Sequence, residues 1–180
     1  ALFLMNNVHY MVVTVEGSER LALLGQNWVE RHKDIIERYG HTYHEAVWMP
    51  LVRQLEQVET GEDPEPLDPA KWKEWVKRHF KVVNGVLEGV YKEQSGWTVP
   101  DTRLRAAVRR VILQDFLPPY EHFWNTYARA EFTTNRSKYV RLSPRDVEGM
   151  VAHDLFEGRP MSMALARVQK GSALGAGGGS

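Results

Sequence analysis

Imidazoles on a helical stretch and cations clustered near the end are the residues of this 180-residue chain whose types and spacing could do chemistry. His41 and His44 stand three apart in HTYHE, with Glu45 beside the second, so one helix face could offer two imidazoles to a metal ion. A closed site needs three or four protein ligands, and neither an HExxH pattern nor a thiolate is at hand to complete it. The pair reads as solvated helix histidines, and no metal is expected. Arg103, Arg105, Arg109 and Arg110 share one helical stretch, while Arg136, Lys138, Arg141 and Arg145 surround a polar loop. If Tyr139 and Val140 turn inward there, Lys138 and Arg141 point outward beside a helix start. Cations and free backbone amides both attract phosphate. On residue types alone this is first a solvated charged loop, with an anionic membrane surface as the alternative partner. Nucleic acid is the weaker candidate, because no nucleic-acid-binding pattern is present.

Nucleophilic chemistry finds no support. The chain has no cysteine, no GxSxG, and no serine with a local base motif. Gly175 and Gly177 have neither a strand before them nor a helix after them, which a phosphate loop requires. A non-enzymatic protein without a cofactor is expected. Asn6, Asn7 and His9 in NNVHY interrupt an otherwise apolar run, and a buried Asn without partners costs about 1–3 kcal/mol. These side chains therefore read as polar ties from a helix to adjoining loops.

The elements that must hold these residues are all helical. Leu4, Val8, Met11 and Val15 recur at helical spacing and predict a buried helix over residues 2–15. Gly17 interrupts it, Ser18 can cap a short turn through Leu21 and Leu24, and Gly25 breaks the chain again. A long helix is expected from about Trp28 to Val58, bent near Gly40, with Trp28, Ile35, Ile36, Tyr39, Tyr43, Val47, Leu51 and Leu55 inward. GEDPEPLDP, residues 61 to 69, is an exposed acidic connection. Asp68 and Pro69 then open a helix to about Gln94, with Trp72, Val76, Phe80, Val83, Leu87, Val90 and Tyr91 on its inner face. Asp101 caps the next helix, which carries Leu104, Val108, Val111, Ile112 and Phe116 and must kink or restart at Pro118 and Pro119. Beyond the loop of residues 131 to 142, Ser143, Pro144 and Asp146 announce a last helix with Val147, Met150, Val151 and Leu155. No alternating pattern demands a sheet, so the expected fold is all-α: a stacked antiparallel helical bundle spanning residues 1–158, with a flexible tail at 159–180.

Composition narrows the class further. Hydrophobic residues make up 43% of the chain, enough to offset ordering entropy by burial. The absence of cysteine fits a reducing, intracellular setting, and no apolar run reaches the roughly 20 residues that span a bilayer. Net charge is zero, but residues 102–180 hold 12 Lys and Arg against 7 Asp and Glu. A basic end is where an anionic partner would bind.

The order of the motifs carries more than any one of them. FLMNNVHYM, LLGQNWVERH, YHEAVW, FKVVNGVLEGVYKEQSGWTVPDTRLR, ILQDFLPPYEHF and SKYVRLSPRDVEGMVAHDLFEG follow one another over residues 2 to 158. In that order they resemble the C-terminal part of the exocyst complex seventy-kilodalton subunit, and the LFEG ending resembles its plant members. The resemblance implies the distal portion of a rod of stacked helical bundles, cytoplasmic and peripheral at the plasma membrane, in a complex that tethers secretory vesicles there. Implied partners are other exocyst subunits, anionic membrane lipids, and small GTPases or a pathogen effector. In that family, basic residues near the C-terminus bind phosphatidylinositol 4,5-bisphosphate. The usual KYIK stands here as KYVR, so the resemblance gives that role to Lys138 and Arg141, with Arg136 and Arg145 nearby. Arginine at 141 keeps the charge but changes the donor geometry, and Leu142 stands where tyrosine is common. A second expectation is a protein-docking module of plant immunity, bound by a pathogen effector or integrated in an immune receptor. It calls for an exposed apolar pocket near Phe123, Tyr127 and Val147.

Overall fold

Gly17, Gly25, Asp68, Asp101 and Ser143 bound helices observed in the computed structural model. It describes residues 1–59 and 68–159, the side chains of 57–59 apart. The elements run α1 (Leu2–Glu16), α2 (Arg20–Leu24), α3 (Gln26–Val47), α4 (Met49–Glu59), α5 (Pro69–Gln94), α6 (Thr102–Tyr127) and α7 (Pro144–Gly149). A 3-10 turn at Arg136–Lys138 lies between the last two, and α7 continues as a π-helical turn, Met150–Asp154. No strand occurs among the described residues, so the fold is the expected all-α bundle. Most of the expected acidic connection and the tail beyond Arg159 lie outside the described residues.

α1 lies on α3, α3 on α4, and α4 on α6, which also meets α7 and the π turn. α5 completes the core through side chains: Phe80 stacks on Phe132 and meets Phe123 and Trp124, while Trp75 meets Tyr127 edge-on. Val76, Phe80, Val83, Leu87 and Tyr91 form the buried stripe of α5, and Phe116, Tyr120, Phe123 and Tyr127 that of α6. Each such side chain contributes about 1.5–3 kcal/mol by leaving water.

Three expectations change. α1 buries Leu2, Met5, Val12 and Val15, whereas Leu4 and Met11 are 45% and 44% exposed and Phe3 and Tyr10 face outward. This helix is apolar on more than one side, so periodicity could not tell which side meets α3. The long helix breaks at Trp48 rather than bending at Gly40, because Pro50 has no N–H to offer the carbonyl four residues back. α6 runs through Pro118 and Pro119 without restarting. Its flanks are held by buried Phe116, Tyr120 and Phe123, and this packing offsets the lost backbone bonds.

The caps match the local chemistry. Asp68 accepts hydrogen bonds from the amides of Ala70 and Lys71, Asp101 accepts from Leu104, and Ser143 and Asp146 form a reciprocal capping box. Asn6 of α1 donates to the Thr98 carbonyl at 2.8 Å and His9 pairs with Asp101 at 3.3 Å. NNVHY is thus the tie between α1 and the α5–α6 loop.

A basic loop pinned along one helix

Residues 131–142 lie along α5, and the sequence of that helix holds them there. Lys77, Lys81, Asn84 and Glu88 follow at spacings of four, three and four, which places them on one face of that helix. The loop lies along this face. Asn84 Nδ2 donates to the Tyr139 carbonyl at 2.6 Å, and the Lys81 ammonium sits 5.6 Å from the centre of the Tyr139 ring. The Glu88 carboxylate pairs with Arg141 at 2.9 Å. From the other side, the Tyr120 hydroxyl donates to the Leu142 carbonyl at 2.6 Å, and Arg136 donates to the Ala128 carbonyl. Phe132 and Tyr139 meet edge-on, with ring centres 5.9 Å apart, and anchor the loop's inner side in the core.

Electrostatics sorts the cations on this edge. Lys138 and Arg145 are exposed, and so is most of Arg136 despite its backbone bond. The Lys138 ammonium lies 5.8 Å from the same Tyr139 ring that Lys81 covers, a cation–π arrangement from both residues. Arg141 is half-buried and neutralised by Glu88. Lys77 bonds to Glu74 at 2.6 Å, and that hydrogen bond holds the Lys77 ammonium above the ordinary lysine range. Tyr139 turns inward and Lys138 outward, as their types suggest; Arg141 does not stand free beside it.

Two further expectations are corrected here. The capping box at the start of α7 engages the Asp146 and Ser143 amides, Pro144 has none to offer, and the Asp146 carboxylate puts negative charge where phosphate would have to approach. Phe123, Tyr127 and Val147 are all buried, Val147 completely, so they belong to the core and cannot line an exposed docking pocket. Their spacing is that of any inward stripe. Burial also raises the Tyr120 hydroxyl well above the ordinary tyrosine range, which keeps it a donor to Leu142.

Of the remaining candidates, Arg105, Arg109 and His44 serve the scaffold, while Arg103 and Arg110 are exposed. Arg105 and Arg109 both pair with Glu157, at 3.1 Å and 2.8 Å, and Arg109 also donates to the Leu155 carbonyl. This clamp fixes the LFEG segment against α6, where Phe156, at φ 67°, inserts beside Tyr43. His44 is buried and bonds to Asp115 at 2.8 Å, while His41 is exposed. Among the described residues no group of three His, Cys, Asp or Glu side chains is placed to hold a metal. Sequence reading missed Lys81, Asn84 and Glu88. Their shared helix face is visible in the spacing, but nothing in the sequence says which loop that face meets.

Together these features define a helical-bundle scaffold with a basic loop held along α5. No described helix is long and apolar enough to cross a membrane. Residues 1–153 match the family defined by the C-terminal region of the Exo70 exocyst complex subunit, and the chain belongs to that family. It is 34% identical over 167 residues to exocyst complex component EXO70A1 of Arabidopsis thaliana, covering 89% of this chain and 26% of that protein. To exocyst complex component EXO70A3 of the same plant it is 30% identical, covering 92% and 28%. To human exocyst complex component 7 it is 28% identical, covering 84% and 21%. The chain thus spans about a quarter of the length of the curated relatives it matches.

Proposed function

We propose that this chain acts as the C-terminal part of an exocyst subunit, in vesicle tethering during exocytosis. In this reading it contacts other exocyst subunits and binds phosphatidylinositol 4,5-bisphosphate at the cytoplasmic face of the plasma membrane. Family membership supports the tethering role. The lipid role rests on one observation: Lys138 projects from a loop that buried Tyr139 and the Asn84 bond hold rigid, so its charge is presented outward at little entropic cost. Arg136 and Arg145 add charge on the same edge.

Co-sedimentation with phosphatidylcholine vesicles, with and without phosphatidylinositol 4,5-bisphosphate, tests this. Replacing Lys138 and Arg141 together with Glu abolishes most binding, since it inverts two charges and leaves Glu88 unpaired. Undiminished binding by a folded double variant refutes the assignment. The immunity reading has no observation behind it, because the residues it named are core.

A further inference from the structure

A second cation beside the Tyr139 ring comes from a different element. Lys81 of α5 and Lys138 of the loop both reach the Tyr139 ring, at 5.6 Å and 5.8 Å. Neither is ion-paired among the described residues, whereas Lys77 is paired with Glu74 and Arg141 with Glu88. Two like charges gathered on one ring repel each other in the free protein, and a single anion carrying several charges relieves that repulsion while a monovalent one neutralises only half of it. The ring cannot move aside, because Tyr139 is buried against Phe132 and its carbonyl is bonded to Asn84. Arg141 stands differently. Its guanidinium must leave a 2.9 Å carboxylate partner before it can serve an anion.

We propose that Lys81 and Lys138, converging on Tyr139, form the phosphate-binding pair for a multiply phosphorylated membrane headgroup, and that Glu88 limits affinity by holding Arg141 out of it. The proposal rests on the lipid reading above and names residues that reading lacks. It also reverses the ranking drawn from the KYVR motif: Lys81 matters more than Arg141.

Flotation of the 180-residue chain with three vesicle types tests the proposal: phosphatidylcholine alone, phosphatidylcholine with phosphatidylserine, and phosphatidylcholine with phosphatidylinositol 4,5-bisphosphate at matched total charge. Lys81→Gln and Lys138→Gln each lower binding to the bisphosphate vesicles about fivefold, and less on the phosphatidylserine vesicles. Arg141→Gln lowers it less than either, and Glu88→Gln raises it. Soluble inositol trisphosphate in excess competes if the headgroup is the ligand and does not if the bilayer surface alone is. Lys81→Gln binding like the wild type while Lys138→Gln is weak overturns the pair but leaves the lipid reading standing. Wild-type chain that ignores both anionic vesicles overturns both. Loss through Arg141→Gln equal to that through Lys81→Gln, or no gain through Glu88→Gln, overturns the role of Glu88. Thermal melting of each variant separates lost binding from lost folding.

Discussion

Glu157 shows what one side chain does when two arginines converge on it. The hydrogen bond from Arg109, aided by the charges of Arg105 and Arg109, holds its carboxyl below the ordinary value of 4.5. A lowered carboxylate pKa means that the folded state binds the proton less readily than the unfolded one. Its stabilising contribution is therefore complete above the ordinary range and disappears as the pH falls through the lowered value. Melting temperature followed from about pH 7 down to about pH 3 is expected to fall on the acid side. Glu157→Gln is expected to melt lower at neutral pH and to show a flatter acid branch; a parallel curve would remove Glu157 from the clamp. Gly158 next to it has φ 68°, and a Cβ there would run into Thr98 Oγ1, so only glycine closes this corner. Asn84 works similarly at one residue's scale, turning a buried polar group into the peg on which the basic loop hangs.

At the scale of elements, α1 is the instructive case. Its sequence is apolar on several sides, with Met5 buried to 1% exposure and Met11 left at 44%. Met5→Ala removes core packing against α3 and is expected to cost about 2–5 kcal/mol in urea unfolding. Met11→Ala is expected to stay within about 0.5 kcal/mol. Equal losses would mean that the helix is rotated about its axis. α5 has the opposite character. Its cap is unambiguous and its stripe regular, so its span and most of its inner face follow from local chemistry, although Trp75 rather than Trp72 is the buried tryptophan. Its polar face then becomes the cradle of the loop, a role that depends on where the chain returns some fifty residues later.

At the scale of the whole molecule, the bundle offers no membrane-crossing helix among the described residues. In the lipid reading, attachment is electrostatic. Raising salt from about 0.1 M to 1 M shortens the screening length from roughly 10 Å to 3 Å and is expected to release the chain from anionic vesicles. Retention at 1 M salt would mean apolar insertion instead. Although it did not show that α7 gives way to a π turn after Gly149, the sequence by itself determined the helical class, the span of α5, the start of α7, the caps at Asp68, Asp101 and Ser143, and the identity of the family. These rest on spacing and on interactions within a few residues, which a linear pattern records. It also located Lys138 correctly as an outward cation. The tertiary structure alone decided which side of α1 is buried, that Phe123, Tyr127 and Val147 are core, and that Arg141 is spoken for by Glu88. It alone brought Lys81 to Tyr139. Each of these joins side chains dozens of residues apart, and the pairing of distant charges and faces is fixed by how helices pack, not by the order in which they are written.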